Sequence, residues 1–158
     1  RSGLEFLAGI PGSLGGALRM NAGALGGEIW SFVKRVETLD RDGCVRVREA
    51  TEFEPRYRGI SGPECWFLSA TLALPERGLN GTERIRKVLA ARNASQPTGQ
   101  ASCGSVFKNP PHDFAGRLIE HCGLKGRRVG GAVVSDIHAN FIVNDGQACA
   151  AEIGRAHV

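Results

Sequence analysis

Aromatic side chains are scarce in this sequence, at 6% of 158 residues, and long apolar runs are lacking. No stretch approaches the roughly 18 consecutive apolar residues that span a bilayer, and no signal peptide opens the chain. These absences argue against a membrane-spanning or exported protein. We therefore expect a cytoplasmic protein with an ordinary hydrophobic core, which the 42% hydrophobic content can supply.

Cysteine occurs in an odd number and without any C-x-x-C pair. The five cysteines lie 19 or more residues apart, which argues against a disulfide framework and against a structural zinc site. We expect reduced thiols and no bound metal. The first residue is Arg1 and the only methionine is Met20, so we expect the sequence to be part of a longer protein.

The excess of positive charge is small. The 20 basic and 16 acidic residues give a net charge of +4, and the basic residues are scattered along the chain. Residues 84–92 come nearest to a basic cluster, and their apolar neighbours place them on a solvated helix face rather than on a nucleic-acid surface. A mildly basic site suits an anionic small-molecule substrate.

Hydrophobic patterns and turn residues predict an α+β protein. Strands come first, and helices alternate with short strands later. Proline, glycine and asparagine cluster over residues 75–82, so we place a domain boundary after residue 78. The predicted strands cover 32–39, 44–48, 66–74, 129–134 and 140–144. The predicted helices cover 82–95, a segment capped by Asp113 and ended by Gly123, and a segment from Gln147 to the chain end.

Residues 9–16 (GIPGSLGG) and 21–24 (NAGA) form a glycine-rich segment interleaved with apolar side chains. Glycines let main-chain N–H groups converge on an anion, and Pro11 fixes the entry into the turn. The lysine and hydroxyl of a P-loop are absent, and no strand precedes the glycines at the spacing of a dinucleotide fingerprint. By itself the segment is consistent with a pyrophosphate-binding nest or with a tight structural turn.

Two further segments carry polar groups that suit a site. Tyr57-Arg58 offers a planar guanidinium for a carboxylate or phosphate, and an exposed edge-strand pair is the alternative. Residues 102–110 (SCGSVFKNP) place a hydroxyl, an amine and an amide within five residues, and a polar strand end with an exposed loop is the alternative. The G-x-S-x-G turn of a hydrolase nucleophile is missing.

Six collinear segments resemble the UDP-N-acetylenolpyruvoylglucosamine reductase family. Their order and spacing agree over essentially the whole chain, and six motifs together are far more specific than any one alone. The segments are G-L-E-F-L-A-G-I-P-G-S-L-G-G-A-x-x-M-N-A-G-A (3–24), Y-R-x-x-S (57–61), R-N-A-S-Q-P (92–97), G-S-V-F-K-N-P (104–110), A-G-R-L-I-E-x-C-G-L-K-G (115–126) and G-G-A-V-V-S-D-I-H-A-N-F-I-V-N (130–144).

The resemblance implies a two-part arrangement. Residues 1–78 resemble the second lobe of a vanillyl-alcohol-oxidase-type FAD-binding domain, and residues 79–158 resemble a small α+β substrate-binding domain. The implied cofactors are FAD and NADPH, and the implied partner is a UDP-sugar substrate, with no nucleic acid or membrane and with a monomer expected. In the family, hydride passes from NADPH to flavin and then to the enolpyruvyl β-carbon, in peptidoglycan precursor synthesis.

The resemblance also implies residue roles. Arg58 matches the arginine that stabilises the enolate-like intermediate, and Ser105 matches the serine that delivers a proton to the α-carbon. Lys108 and Asn109 match groups that bind the substrate or hold the loop, and Tyr57 is expected to contact the UDP-sugar. The residues expected to approach the FAD pyrophosphate are Gly9, Ile10, Pro11, Gly12, Ser13, Gly15, Gly16, Asn21, Ala22 and Gly23.

Two parts of the family pattern are absent from this sequence. One is the N-terminal flavin lobe, and the other is a C-terminal strand carrying a glutamate that partners the arginine; Glu152 lies in the wrong context to replace it. We therefore expect the 158-residue chain to be inactive alone and its parent protein to be active. We also expect Arg58 and Ser105 to converge on one cavity beside the flavin ring.

Other interpretations stay open beside the reductase. His138 is a further candidate site residue, with a structural histidine as the favoured alternative. The chain could be a binding-only module that holds a UDP-sugar without redox chemistry. Another FAD oxidoreductase of the same superfamily is disfavoured, because an enzyme that oxidises alcohols needs a base where residues 104–110 offer a proton donor.

Overall fold

The strand-forming runs of the sequence pair into antiparallel sheets. The computed structural model describes residues 3–76 and 81–157. Every strand pairing in these ranges is antiparallel, and the helices are few. The expected mixture of helices and sheets is confirmed. The chain divides into two compact units, Arg1–Leu89 and Ala90–Val158.

The predicted boundary after residue 78 lies outside the described residues and stays a prediction. Helix α2 (Gly81–Ser95) confirms the helix predicted for 82–95, and none of its described residues is buried. Among residues 3–76 and 81–157, every helix is too short or too polar to cross a membrane. All five cysteines are free thiols.

The first unit is built on a three-stranded sheet and two small hairpins. The predicted hairpin over 32–48 and the predicted strand over 66–74 form this sheet, in the order β4-β3-β7. The elements of the unit are α1 (Leu14–Arg19), β1 (Gly23–Ala24), β2 (Gly27–Glu28), β3 (Val33–Asp40), β4 (Val45–Glu49), β5 (Glu54–Arg56), β6 (Gly59–Ser61) and β7 (Cys65–Leu72), with 3-10 helices at Glu5–Leu7, Ile29–Phe32 and Ala50–Glu52.

An aromatic cluster centres the core of the first unit. The ring of Trp30 lies 5.0 Å from that of Phe53 and 5.9 Å from that of Phe67, and its indole N–H donates to the carbonyl of Leu18 at 2.8 Å. Buried aromatic rings that also satisfy their polar atom stabilise a core strongly. The indole bond fixes the C-terminal end of α1, directly before Asn21, against this core.

The second unit carries a four-stranded sheet in the order β8-β11-β10-β9. Its apolar run Phe141-Ile142-Val143 is buried, as expected for a central strand. The elements are β8 (Ala101–Ser105), α3 (Ala115–His121), β9 (Arg128–Val129), β10 (Ala132–Val134), β11 (Phe141–Asn144) and α4 (Ala150–Ala156).

Three local predictions for the second unit are wrong. Residues 129–134 form a hairpin instead of one strand, because Gly130, with φ of 59°, and Gly131 turn the chain between β9 and β10. Helix α4 begins at Ala150 instead of Gln147, because the Asn144 side chain accepts main-chain N–H groups in the preceding turn. The N-cap of α3 is Phe114 instead of Asp113, whose carboxylate accepts the Phe114 N–H at 2.7 Å.

Candidate functional site

The glycine-rich segment exposes main chain around residues 9–13. Gly9 and Gly12 have φ of 78° and 137°, conformations that favour glycine, and a Cβ on Gly12 would meet nothing within 4 Å. Ser13 is the N-cap of α1, and its hydroxyl accepts the Gly16 N–H at 3.2 Å. Open left-handed turns beside a helix start are a geometry that can receive a phosphate group.

The second half of the segment is packed differently. Gly23 lies in β1, and a Cβ there would come within 2.6 Å of the Gly27 carbonyl oxygen, so close strand pairing accounts for this glycine. Ala22 accepts the Ile29 N–H through its carbonyl at 3.0 Å. The residues predicted to contact the pyrophosphate therefore include an exposed group, formed by Gly9, Pro11, Gly12, Ser13 and Gly16, and a group engaged in the β1–β2 hairpin.

Asn21 ties the glycine-rich segment to the next functional element. Its side chain is 4% exposed and donates to Glu28 Oε2 at 2.9 Å and to the Arg56 carbonyl at 3.2 Å. Its backbone φ is 44°, in the left-handed region that asparagine tolerates better than most residues. The amide of Asn21 thus supports the loop from inside the first unit.

Arg58 lies in the two-residue loop of the β5–β6 hairpin, next to Tyr57. Its φ of 53° puts a long side chain on left-handed backbone, which costs about 1 kcal/mol. Arg58 is half-buried, whereas Tyr57 is 55% exposed. Non-glycine residues with positive φ often mark functional sites, so this backbone conformation supports Arg58 as a candidate site residue.

Ser105 ends strand β8, opposite Phe141 of β11. The segment beyond it is held at two points. Asn140, which is 4% exposed, bonds through its side-chain amide to both the N–H and the carbonyl of Phe107. Asn109 accepts the Ala115 N–H at 3.1 Å at the start of α3, and Lys108 between the two anchors is exposed.

Asn140 is the residue that sequence reasoning missed. It lies within the 130–144 motif, but the sequence alone assigned it no function. The available signal is an amide directly before the apolar run Phe141-Ile142-Val143, since a buried polar side chain requires hydrogen-bond partners. Its partner is 33 residues away in sequence, so only the structure identifies Phe107.

His138 has the surroundings of a structural histidine. Its Nδ1 accepts the Asn140 N–H at 3.2 Å, and its ring lies 4.8 Å from that of Phe141 in an edge-on arrangement. Burial, with a smaller contribution from the charge of Lys125, lowers the pKa of His138 below its ordinary value. A neutral imidazole that accepts a main-chain bond supports the 138–141 turn.

The second unit contains a cavity of about 160 Å³ behind the Ser105 segment. Val106, Phe107 and Asn140 line it, together with apolar residues of the sheet and α3 and with Arg127, Arg155 and His157. Ser105, Lys108 and Asn109 are not part of its lining. The cavity therefore borders the segment after Ser105 without including the predicted site side chains.

The two predicted catalytic residues belong to different units: Arg58 lies within Arg1–Leu89 and Ser105 within Ala90–Val158. Each unit supplies a support for its own residue, through Asn21 in the first and Asn140 in the second. The convergence of Arg58 and Ser105 on one cavity stays a prediction.

Comparison with known proteins gives a consistent family assignment. Residues 96–156 match the model of the UDP-N-acetylenolpyruvoylglucosamine reductase C-terminal domain. The chain is 63% identical over 153 residues to the UDP-N-acetylenolpyruvoylglucosamine reductase of Methylococcus capsulatus, covering 96% of this chain and 50% of that protein. The corresponding reductase of Alkalilimnicola ehrlichii is 55% identical over 154 residues, covering 96% and 52%.

A solved structure agrees with the sequence relatives. The UDP-N-acetylenolpyruvylglucosamine reductase of Thermus caldophilus superposes with a TM-score of 0.86 at 41% identity, covering 98% of this chain and 58% of that one. The chain spans about half the length of the curated relatives that it matches. The likeness thus extends over both units of the chain.

Proposed function

Because this chain belongs to the UDP-N-acetylenolpyruvoylglucosamine reductase family, we propose that it forms part of an NADPH- and FAD-dependent reductase. The reaction reduces the enolpyruvyl group of UDP-N-acetylenolpyruvoylglucosamine to give UDP-N-acetylmuramate, a peptidoglycan precursor, in the cytoplasm. Residues 1–78 contribute the second lobe of a vanillyl-alcohol-oxidase-type flavin domain, and 79–158 form the substrate domain. The observation that carries the proposal is the 63% identity over 96% of the chain to a named reductase.

The exposed glycine main chain fits the diphosphate of FAD. Gly9, Gly12 and Ser13 are exposed beside the start of α1, and a Cβ on Gly12 would meet nothing within 4 Å. A flavin held by these residues and reduced by NADPH would supply the hydride for the enolpyruvyl β-carbon. The residues of this segment hold the cofactor. The Asn21 side chain supports them through its hydrogen bonds to Glu28 and to the Arg56 carbonyl.

Arg58 stabilises the negative charge that develops on the substrate, and Ser105 supplies the proton for the α-carbon. Hydride addition at the β-carbon pushes an electron pair through the α-carbon onto the substrate carboxylate, where a guanidinium stabilises it. Ser105 then transfers its hydroxyl proton to the α-carbon, which completes the saturated lactyl ether. A serine is a weak acid, but a carbanionic carbon is a strong acceptor, so its placement decides the rate.

Lys108 and Asn109 in the second unit and Tyr57 in the first are assigned to substrate binding. Lys108 and Tyr57 have exposed side chains that can reach the negatively charged UDP-sugar. Asn109 uses its side-chain oxygen on the Ala115 N–H, which leaves its amide N–H groups to donate. A site with this composition favours an anionic nucleotide sugar.

The test uses a chimera in which this chain replaces the matched half of the Methylococcus capsulatus reductase. We expect the FAD-containing chimera to oxidise NADPH repeatedly, beyond the one equivalent that reduces its flavin, only when UDP-N-acetylenolpyruvoylglucosamine is present. Ser105→Ala and Arg58→Met should each lower turnover by about 100-fold or more, because each removes a group that acts in the transition state. Reduction of the flavin by NADPH should continue in Ser105→Ala.

Matched controls lie on the same elements. Ser102→Ala lies on β8 with Ser105, and Arg56→Ala lies on β5 in an exposed ion pair with Glu54, so both should retain turnover. The 158-residue chain alone should bind UDP-sugar and show no turnover. A chimera that binds FAD but ignores the UDP-sugar would overturn the proposed function.

A further inference from the structure

Asn140 makes a paired contact with a single residue. Its Oδ1 accepts the Phe107 N–H at 2.9 Å, its Nδ2 donates to the Phe107 carbonyl at 2.9 Å, and its own carbonyl accepts the Val106 N–H at 2.9 Å. A primary amide carries a donor and an acceptor side by side, as a neighbouring strand does. The side chain of Asn140 therefore extends the β8–β11 ladder beyond Ser105, where β8 ends.

The residues around Asn140 hold it in place. Phe141, which follows it, is 6% exposed and stands opposite Ser105. The Asn140 N–H is bonded to His138, and Ser135 Oγ accepts the N–H groups of Ile137 and His138. Side-chain bonds thus organise the turn that presents Asn140.

The segment after Ser105 is restrained on both sides of Lys108. Asn140 holds Phe107, and Asn109 is bonded to the first turn of α3. Gly104 precedes Ser105 with a φ of 83°, a conformation that side chains rarely adopt. The direction in which Ser105 leaves the sheet is therefore set by this turn and by the Asn140 bonds.

We propose that Asn140 is a positioning residue for the proton-delivery step. Its side-chain amide fixes the main chain at Phe107 and its main-chain carbonyl holds Val106, so that the Ser105 hydroxyl meets the substrate α-carbon. This inference rests on the proposed function. A displacement of about 1 Å in a reacting group can lower a rate by about 100-fold, which is the effect expected from loosening this segment.

Three variants separate positioning from general stability. Asn140→Ala removes both side-chain bonds to Phe107. Asn140→Asp keeps an acceptor but loses the donor when ionised and regains it when protonated, so its function should recover as the pH falls. Asn144→Ala is the control, because Asn144 ends β11, the strand that follows Asn140, and accepts the N–H groups of Gly146 and Ala148, away from Ser105.

The first measurement is amide hydrogen exchange on the 158-residue chain, which does not depend on activity. Asn140→Ala should speed exchange at Phe107 by about tenfold or more, whereas Asn144→Ala should leave it unchanged. The second measurement is kinetics of the chimera. Asn140→Ala should lower kcat by about 100-fold with KM for the UDP-substrate and NADPH-dependent flavin reduction both retained.

Each outcome decides the matter. Unchanged exchange at Phe107, unchanged kcat, or an equal kcat loss in Asn144→Ala would each overturn the inference. Failure of Asn140→Asp to recover at lower pH would also count against the paired amide contact. If the unaltered chimera does not respond to the UDP-substrate, the proposed function fails and the catalytic role of Asn140 falls with it, while the exchange data on the chain still report the contact.

Discussion

The side-chain amide of Asn21 donates a hydrogen bond to the main-chain carbonyl of Arg56, at 3.2 Å and across 35 residues of sequence. This bond joins the glycine-rich segment to the hairpin whose loop carries Arg58. The residues expected to hold a cofactor and the residue expected to stabilise negative charge are therefore coupled through one buried amide within the first unit.

Replacing Asn21 should reveal two separate contributions to the free energy of unfolding. Asn21→Gly loses the bonds to Glu28 and Arg56 and should destabilise by about 1–3 kcal/mol. Asn21→Ala loses the same bonds and also pays for left-handed backbone, about 1 kcal/mol more. Urea denaturation of both variants measures the difference. Equal stability of the two would show that the backbone conformation carries no strain.

Gly130→Ala should destabilise the second unit through Glu152. A Cβ on Gly130 would collide with the Glu152 carboxylate, which accepts the N–H groups of Gly131 and Cys149 at 3.3 and 3.1 Å. Loss of this cap and the left-handed φ together should cost about 2 kcal/mol by chemical denaturation.

The control for Gly130 is Gly146→Ala, because Gly146 also has positive φ but its Cβ would meet nothing within 4 Å. It should cost about 1 kcal/mol, the backbone part alone. In a Glu152→Ala background, Gly130→Ala should fall to a similar value, since the carboxylate is gone. Undiminished loss in that background would contradict the clash with Glu152.

The stability of the chain should fall as the pH drops through about 6.5. The pKa of His138 is lowered in the folded protein, so the unfolded chain binds more protons in this range and is favoured. His138→Gln should flatten the dependence between pH 7 and 5. Asp113 does not interfere there, because the hydrogen bond from Arg117 lowers its pKa to about 2.

Two measurements check the histidine prediction. Imidazole carbon shifts followed by NMR should place the His138 midpoint below 6.5, and denaturation at several pH values should give the stability profile. A profile identical in His138→Gln and the unaltered chain would assign the pH dependence to other groups.

Asn109 offers a direct choice between its two expected roles. Asn109→Ala should cost about 1 kcal/mol, because the Ala115 N–H loses its acceptor, whereas Asn109→Asp keeps an oxygen there and should retain stability. Calorimetric titration with UDP-sugar then distinguishes the roles. Weaker binding by a stable Asn109→Asp indicates that the amide also donates to substrate, and unchanged binding limits Asn109 to holding the loop.

Much of the secondary structure was predictable because its signals are local. Alternating β-branched residues around a glycine turn predicted the hairpin over 32–48, which is observed over 33–49, and residues 140–144 predicted a strand, which is observed over 141–144. Local reasoning failed where a side chain reached along the chain, as Asn144 does to delay the start of α4. It also failed at Gly130-Gly131, whose hairpin turn interrupts an apparently continuous strand.

The sequence alone determined the family, because six ordered motifs need no coordinates to be recognised. It also singled out Arg58 and Ser105. Only the tertiary structure decided what supports these residues: Asn140 meets Phe107 across 33 residues and Asn21 meets Arg56 across 35. Strand register determines which main-chain groups lie beside each asparagine, and a buried side-chain amide must find its hydrogen-bond partners among them. Register and burial both arise only when distant segments pack together.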